Sequence, residues 1–272
     1  GGSTYHTRYN SFEFIRGQER DPWKPMLDPP IKRFREIYHN LEMQKIESTD
    51  PKYAYPSNRE FILEEKDFPS VKCFNSGLDF LNKYKDSENW FLQIETFDPH
   101  EPFFAPERFI NKFNKNLRGP IFDWPHYGKS FKDLEINNEL RSNYFALVSL
   151  CDFLLGSILD FFDKFDLWND TALVLTTDHG FMLGEHNWWG KGVMPLFNEI
   201  AHIPLFFHHP DLKHLQGTES NILTQNIDLM PTFLEMHNLE IPTEVQGKSI
   251  LKSLSSSSEL RGSIGCSYIL LK

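Results

Sequence analysis

The stretch Ala172 to Gly192, ALVLTTDHGFMLGEHNWWGKG, runs from an unbroken apolar segment into a loop crowded with acid, imidazole, indole and amine groups. Its first part, ALVLTT, is short and apolar with a β-branched residue inside it, the composition of a strand buried on both faces. It stops on Asp178-His179-Gly180. A carboxylate beside an imidazole at a strand end can coordinate a cation, and Gly180 lets the backbone turn away so that both side chains face one point. The same dipeptide also fits a plainer reading, with Asp178 capping a following helix and His179 bonded locally. Further on, Lys191 between Gly190 and Gly192 could approach an anion closely, although a solvated lysine is the default for a lone Gly-Lys-Gly. Trp188 and Trp189 in a polar loop either face a partner or brace the loop.

Outward from this stretch the pattern alternates. Residues 71–85 predict a helix, NWFLQIETF a second buried strand, and DPHEPFFAPERF a loop that leaves its end. Residues 137–165 carry Leu140, Tyr144, Leu147, Cys151, Leu154, Ile158, Leu159 and Phe162 at helical spacing, a wide apolar face that predicts packing against a sheet. HIPLFFHHP predicts a third strand, and TQNIDLMPTFLEMHNL a helix that tolerates Pro231 in its first turn. Such alternation predicts an α/β domain with a mainly parallel central sheet flanked by helices, in which ligands sit at the carboxyl ends of strands. If both strands that end in polar clusters belong to one parallel sheet, Asp98-Pro99-His100-Glu101-Pro102 and Asp178-His179-Gly180 meet on one rim. His100, rigidly flanked by prolines, is either an imidazole presented as hydrogen-bond donor or acid, or a turn residue without a role. His202, His208 and His209 lack a matching carboxylate and read as structural.

Residues 1–60 are rich in aromatics, proline and charge, with a helix expected from Ile31 to Ile46, and read as a segment that wraps over its neighbour. Residues 61–254 hold the α/β pattern, and residues 255–272 read as a serine-rich linker and a short apolar tail. The formal charge of −10 disfavours nonspecific nucleic-acid or anionic-membrane binding, and no apolar run approaches bilayer-spanning length. Cys73, Cys151 and Cys266 form no Cys-x-x-Cys, so no cysteine zinc site or disulfide framework is indicated. Neither compartment nor oligomeric state follows from the sequence.

Taken together, TTDHGFMLGEHNWWGKG with its lysine thirteen positions after the aspartate, DPHEPF, YFALVSLCDFLLGSILD, HIPLFF, NIDLMPTFLEMHNLEIPTEVQGKSI and FEFIRGQERDPW resemble the sulfatase family of the alkaline-phosphatase-like superfamily. The resemblance implies that Asp178 and His179 are the second pair of ligands to a divalent cation, usually calcium. It implies that His100 contacts the sulfate ester and Lys191 the sulfate oxygens. The expected substrate is a sulfated small molecule or sugar, with Trp188 as a stacking surface.

The departures from the family pattern are equally specific. No Cys/Ser-x-Pro-x-Arg, the source of the family's formylglycine, occurs in the 272 residues, and there is no Asp-Asp pair and no Lys-x-His. The chain therefore resembles a sulfatase without roughly its N-terminal third, with a sheet incomplete on that side. The resulting expectations are negligible turnover by the isolated chain, an exposed sheet edge, and poor solubility or self-association. A phosphonate or phosphate ester hydrolase of the same superfamily, and a non-catalytic anion-binding protein, are the alternative readings.

Overall fold

The computed structural model of the chain describes residues 6–37, 47, 53–114, 121–256 and 259–263. In chain order its main elements are α1 (Ile31–Ile37), α2 (Ala54–Arg59), α3 (Pro69–Tyr84), α4 (Glu107–Phe113), β1 (Gly128–Lys129) and α5 (Leu134–Phe165). There follow β2 (Leu173–Thr176), β3 (Met182–Leu183), β4 (Trp188–Gly190), α6 (Asn198–Ala201), β5 (Leu205–His208), α7 (Leu229–Met236) and α8 (Leu251–Ser256). They form two compact units, Gly1–Phe165 with Leu183–Gly190, and Asp166–Met182 with Lys191–Lys272.

The first unit is organised on α5. Leu140, Leu147, Leu150, Leu154, Ile158 and Phe162 recur at helical spacing and are fully or almost fully buried. The wide apolar face packs against the helices α3 and α4 rather than against the expected sheet. The reason lies in neighbouring side chains: Phe109 and Phe113 of α4 lie against Phe153 and Phe145 of α5, ring to ring. α3 begins on Pro69, where a fixed φ suits the first helical position and the missing N–H costs nothing. A second apolar cluster joins Phe34, Tyr55 and Trp124, with ring centroids 5.3 and 5.2 Å apart in edge-to-face contacts, so residues from the N-terminal segment do contribute to a core. Contrary to the sequence expectation, one apolar helix among the described residues, α5, is long enough to cross a membrane by length and composition. Those two properties alone do not establish a span, and the buried face of α5 is already covered by protein.

Three strand expectations are corrected. Residues 90–97 belong to no helix or strand, and although their burial alternates as a strand's would, they carry no ladder pairing among the described residues. Phe91 and Phe97 are consequently exposed. β2 and β5 form as expected but pair antiparallel, Leu173 opposite His208 and Thr176 opposite Leu205. A two-stranded ribbon gives each strand one ladder neighbour and leaves much of its surface open, so Leu175 and Phe206 are 36% and 65% exposed rather than buried on both faces. Of the helix expected from Ile31 to Ile46, the part after Ile37 lies outside the described residues, as do Cys266 and the apolar tail.

In the second unit, Pro231 sits in the first turn of α7, as anticipated. α8 runs two residues into the serine run, whose hydroxyls at Ser255 and Ser256 bond back to Leu251 and Lys252 carbonyls. Asp228, fully buried, ties this unit together: it accepts from the amides of Gln225 at 2.7 Å and Lys248 at 2.8 Å, and from both terminal nitrogens of Arg261 at 2.5 Å. Burial raises the Asp228 carboxyl, but Arg261 and the two amides outweigh it and hold the group below its usual range. Its contribution to stability is thus present above the unfolded carboxylate value and lost as pH falls through the folded one. Arg261→Ala leaves that carboxylate buried with only its amides. It should lower the unfolding free energy by about 3 kcal/mol at neutral pH and flatten the acid limb. An unchanged urea midpoint would show that the pair is idle.

Candidate active site

His100 stands in a loop whose polar atoms are almost all committed. The preceding Asp98 is buried, accepting from Gln18 Nε2 at 2.9 Å and from the Ser70 hydroxyl. Gln18 belongs to the FIRGQERD segment, which closes on itself because Arg16 grips Asp21 with two hydrogen bonds of 2.7 and 2.5 Å. Burial is the main force on the Asp98 carboxyl and pushes it up to about 6 against the opposing pull of Ser70, Gln18 and His100. The His100 ring places Nδ1 2.6 Å from the Glu101 carbonyl oxygen, and since a carbonyl only accepts, Nδ1 carries a hydrogen and Nε2 is left for other work.

The aromatic ribbon of the same unit pairs β1 with β4, Gly128 opposite Trp189 and Lys129 opposite Trp188. The two tryptophans, adjacent in a strand, point to opposite faces and have different jobs. Trp189 is fully buried, and its indole N–H donates to Asn137 Oδ1 at 2.6 Å, so it braces the loop. Trp188 is half-buried, with the Lys129 ammonium 3.7 Å from its ring centroid. Arg141 of α5 donates to the Leu183 carbonyl at 2.6 Å and Asn143 to that of Phe122 at 2.6 Å. Gly190 is required here by packing as well as backbone: its φ is +97°, and a Cβ would fall 2.5 Å from Cδ1 of Tyr127.

In the second unit the end of β2 presents Asp178 and His179. No helix follows directly, so Asp178 does not act as a helix cap; its Oδ1 accepts from the His179 amide at 2.9 Å. Asn226 Nδ2 bridges the carbonyls of Thr177 and Asp178 at 3.2 and 3.1 Å and fixes the turn. Gly180 is needed because a Cβ would lie 1.8 Å from the Glu199 carbonyl oxygen, while its own N–H donates to the Ile200 carbonyl at 2.9 Å. His179 Nδ1 lies 2.9 Å from the Gly180 carbonyl oxygen and therefore carries the hydrogen. Its Nε2 is 3.3 Å from Asp178 Oδ2. In the neutral ring these are two acceptors facing each other, an arrangement that needs a cation or a second ring proton between them. Asp178 is 80% exposed on its side chain, open to such a cation. Lys191 is half-buried and makes no hydrogen bond or ion pair among the described residues.

His100 and Trp188 thus lie in the first unit, and Asp178, His179 and Lys191 in the second. Asp178 and His179 are brought together; among the described residues no group of three or more His, Cys, Asp or Glu side chains that could hold a metal ion converges. His208 and His209 have structural partners, the Trp168 carbonyl at 3.0 Å and the Asp211 amide at 3.1 Å. Sequence reasoning missed Gln18, Ser70, Glu101, Tyr127, Asn137 and Arg141, all of which but Glu101 support the loops from a distance in the chain. Only Glu101, adjacent to His100, offered a local clue.

The family model described as Sulfatase matches residues 30–239. An arylsulfatase of Clostridium perfringens is 27% identical over 240 residues, covering 82% of this chain and 49% of that protein. Among solved structures, a phosphonate monoester hydrolase of Agrobacterium radiobacter superposes with a TM-score of 0.61 at 21% identity, over 74% of this chain and 44% of that one. A structure solved in complex with its substrate D-glucosamine-2-N,6-O-disulfate gives a TM-score of 0.60 at 19% identity, over 71% of this chain and 53% of that one. The likeness shows an α/β fold of the alkaline-phosphatase-like kind. The chain spans about half the length of these relatives.

Because the folded Asp98 carboxyl sits above its unfolded value of roughly 3.9, its contribution to stability is complete below about pH 4 and lost as pH rises through about 6. Asp98→Asn removes that dependence. From about pH 4 to 7 the wild-type chain should lose about 2–3 kcal/mol relative to the variant in denaturant titrations, and parallel curves would contradict the assignment.

Proposed function

Since this chain belongs to the sulfatase family, we propose that it carries part of the machinery for sulfuric ester hydrolysis, supplying cation ligands and sulfate contacts. The family generally uses a divalent cation and a formylglycine. The observation that carries the reading is the pair of acceptors, Asp178 Oδ2 and His179 Nε2, held 3.3 Å apart by the His179–Gly180 hydrogen bond. That separation suits one edge of a coordination shell with donors about 2.3 Å from a shared cation. The donor set fits a divalent ion as far as it goes: calcium takes about six to eight oxygen ligands, so these two groups are a partial shell, and the imidazole is its softer member. A cation held there would draw charge from sulfate oxygens.

The chain's own residues do the rest of the proposed work. His100, fixed by Nδ1, donates from Nε2 to the ester oxygen when that nitrogen also carries a proton, at the position where negative charge develops as the S–O bond breaks. Lys191, half-buried and without a partner among the described residues, supplies positive charge for sulfate oxygens. Trp188, half-buried with the Lys129 ammonium over its ring, supplies its exposed part as a stacking surface for a sugar. A sulfated sugar is the proposed substrate class, a reading supported by the disulfated glucosamine bound to the structural neighbour. Because the 272 residues hold no Cys/Ser-x-Pro-x-Arg, the chain on its own is expected to bind without turning over.

Isothermal titration tests this. Calcium should bind weakly, with Asp178→Asn or His179→Ala abolishing the heat, and His100→Ala or Lys191→Ala should each weaken sulfate binding at least about tenfold, or 1.4 kcal/mol. Hydrolysis of a chromogenic aryl sulfate should stay at background. Calcium heat that survives Asp178→Asn, or measurable turnover by the purified chain, would overturn the reading.

A further inference from the structure

Next to His100 the structure holds a buried acid that the roles above leave unused. Glu101 is 3% exposed. Its Oε1 accepts from the Tyr127 hydroxyl, while Oε2 is buried without a hydrogen-bond partner. That oxygen lies 3.4 Å from His100 Nδ1, whose hydrogen is bonded to the Glu101 backbone carbonyl at 2.6 Å. A carboxylate so placed is costly unless it serves a charge, because removing it from water without a full set of donors is unfavourable. The only adjacent group able to carry that charge on the same loop is the imidazole. Tyr127 in turn is kept in place by Gly190, whose missing side chain leaves room for the ring. The ribbon motif and the DPHEPF motif are therefore linked within one unit by Gly190, Tyr127, Glu101 and His100.

We infer that Glu101 is a positioning residue for His100: its carboxylate, held by Tyr127, stands beside the Nδ1–H that the Glu101 carbonyl accepts, favours the ring orientation that turns Nε2 outward, and provides the counter-charge when Nε2 also carries a proton. The logic is that of any carboxylate behind a working histidine, where the acid orients the ring and fixes its tautomer without touching substrate. Tyr127 has the complementary task, satisfying Oε1 so that Oε2 alone is left to the imidazole. Asp98 also faces His100 electrostatically, but its oxygens are already engaged by Gln18 and Ser70. This inference rests on the reading of His100 as the residue that meets the sulfate ester.

The test is nitrogen-15 NMR of the full chain labelled in its histidine rings, with Glu101→Gln and Glu101→Asp as variants. In the wild type the neutral His100 should be the Nδ1–H tautomer, the opposite of a free imidazole's preference. At about pH 6.5 the ratio of doubly to singly protonated ring should fall roughly tenfold in Glu101→Gln and be largely retained in Glu101→Asp, which keeps the charge. A wild-type Nε2–H tautomer overturns the inference whether or not any variant folds. So does an unchanged ratio in a Glu101→Gln protein whose thermal midpoint matches the wild type. Sulfate titration separates the two layers: if His100→Ala leaves sulfate affinity intact while the NMR result holds, Glu101 positions the ring and the proposed role of His100 in sulfate contact is the part that fails.

Discussion

The hydrogen on His179 Nδ1 is bonded to the carbonyl of Gly180, and that bond decides what the opposite side of the ring can do. With Nδ1 committed, Nε2 of the neutral ring is a lone pair facing a carboxylate oxygen. The proposal that the end of β2 is more than a turn rests on this close approach of two acceptors. The arrangement also explains the glycine, since only a residue without Cβ allows the chain to run against the Glu199 carbonyl while keeping its own carbonyl under the imidazole. His100 repeats the device with the carbonyl of Glu101, and there a buried carboxylate stands behind the ring. Two histidines from different units are prepared in one way, each by the residue that follows it.

Helix α5 supplies the fixed surface for the first unit. Its apolar face contributes more buried apolar side chains than any other element of that unit, on the order of 1.5–3 kcal/mol for each large side chain taken from water. Its polar positions decide geometry rather than stability. Asn137 receives the Trp189 indole, Arg141 and Asn143 each hold a loop carbonyl, and each such bond is worth about 1 kcal/mol net yet costs more if one partner is left buried alone. The ribbon that contains Trp188 is therefore fixed by specific polar contacts to a rigid helix.

Much of this was legible in the sequence, and the reasons it was partly so are physical. α3, α5 and α7 were readable because a helix that buries one face must repeat its apolar residues near every third or fourth position. β2 and β5 were readable as strands, but not their relative direction: an apolar run has the same period in a parallel and an antiparallel ladder, so antiparallel pairing had no trace in composition. Residues 90–97 have the strand pattern without a ladder partner among the described residues, and pattern alone cannot report pairing. Asp178, His179, His100 and Lys191 stood out through the resemblance of their motifs to the sulfatase family, since each residue taken alone also fits a structural role. Which tryptophan is buried depends on the register of a two-residue pairing, and Glu101 or Tyr127 acquire meaning only when residues far apart in the chain become neighbours.

The central claim is that Asp178 and His179 form one edge of a cation site. Anomalous scattering from crystals of the chain soaked in manganese, which has a stronger anomalous signal than calcium and accepts both oxygen and nitrogen ligands, tests it directly. The account predicts a peak about 2.0–2.5 Å from both Asp178 Oδ2 and His179 Nε2, as metal–ligand distances require, and its loss in Asp178→Asn. Manganese bound elsewhere, with Asp178 and His179 still facing each other and nothing between them but a ring proton, would contradict it.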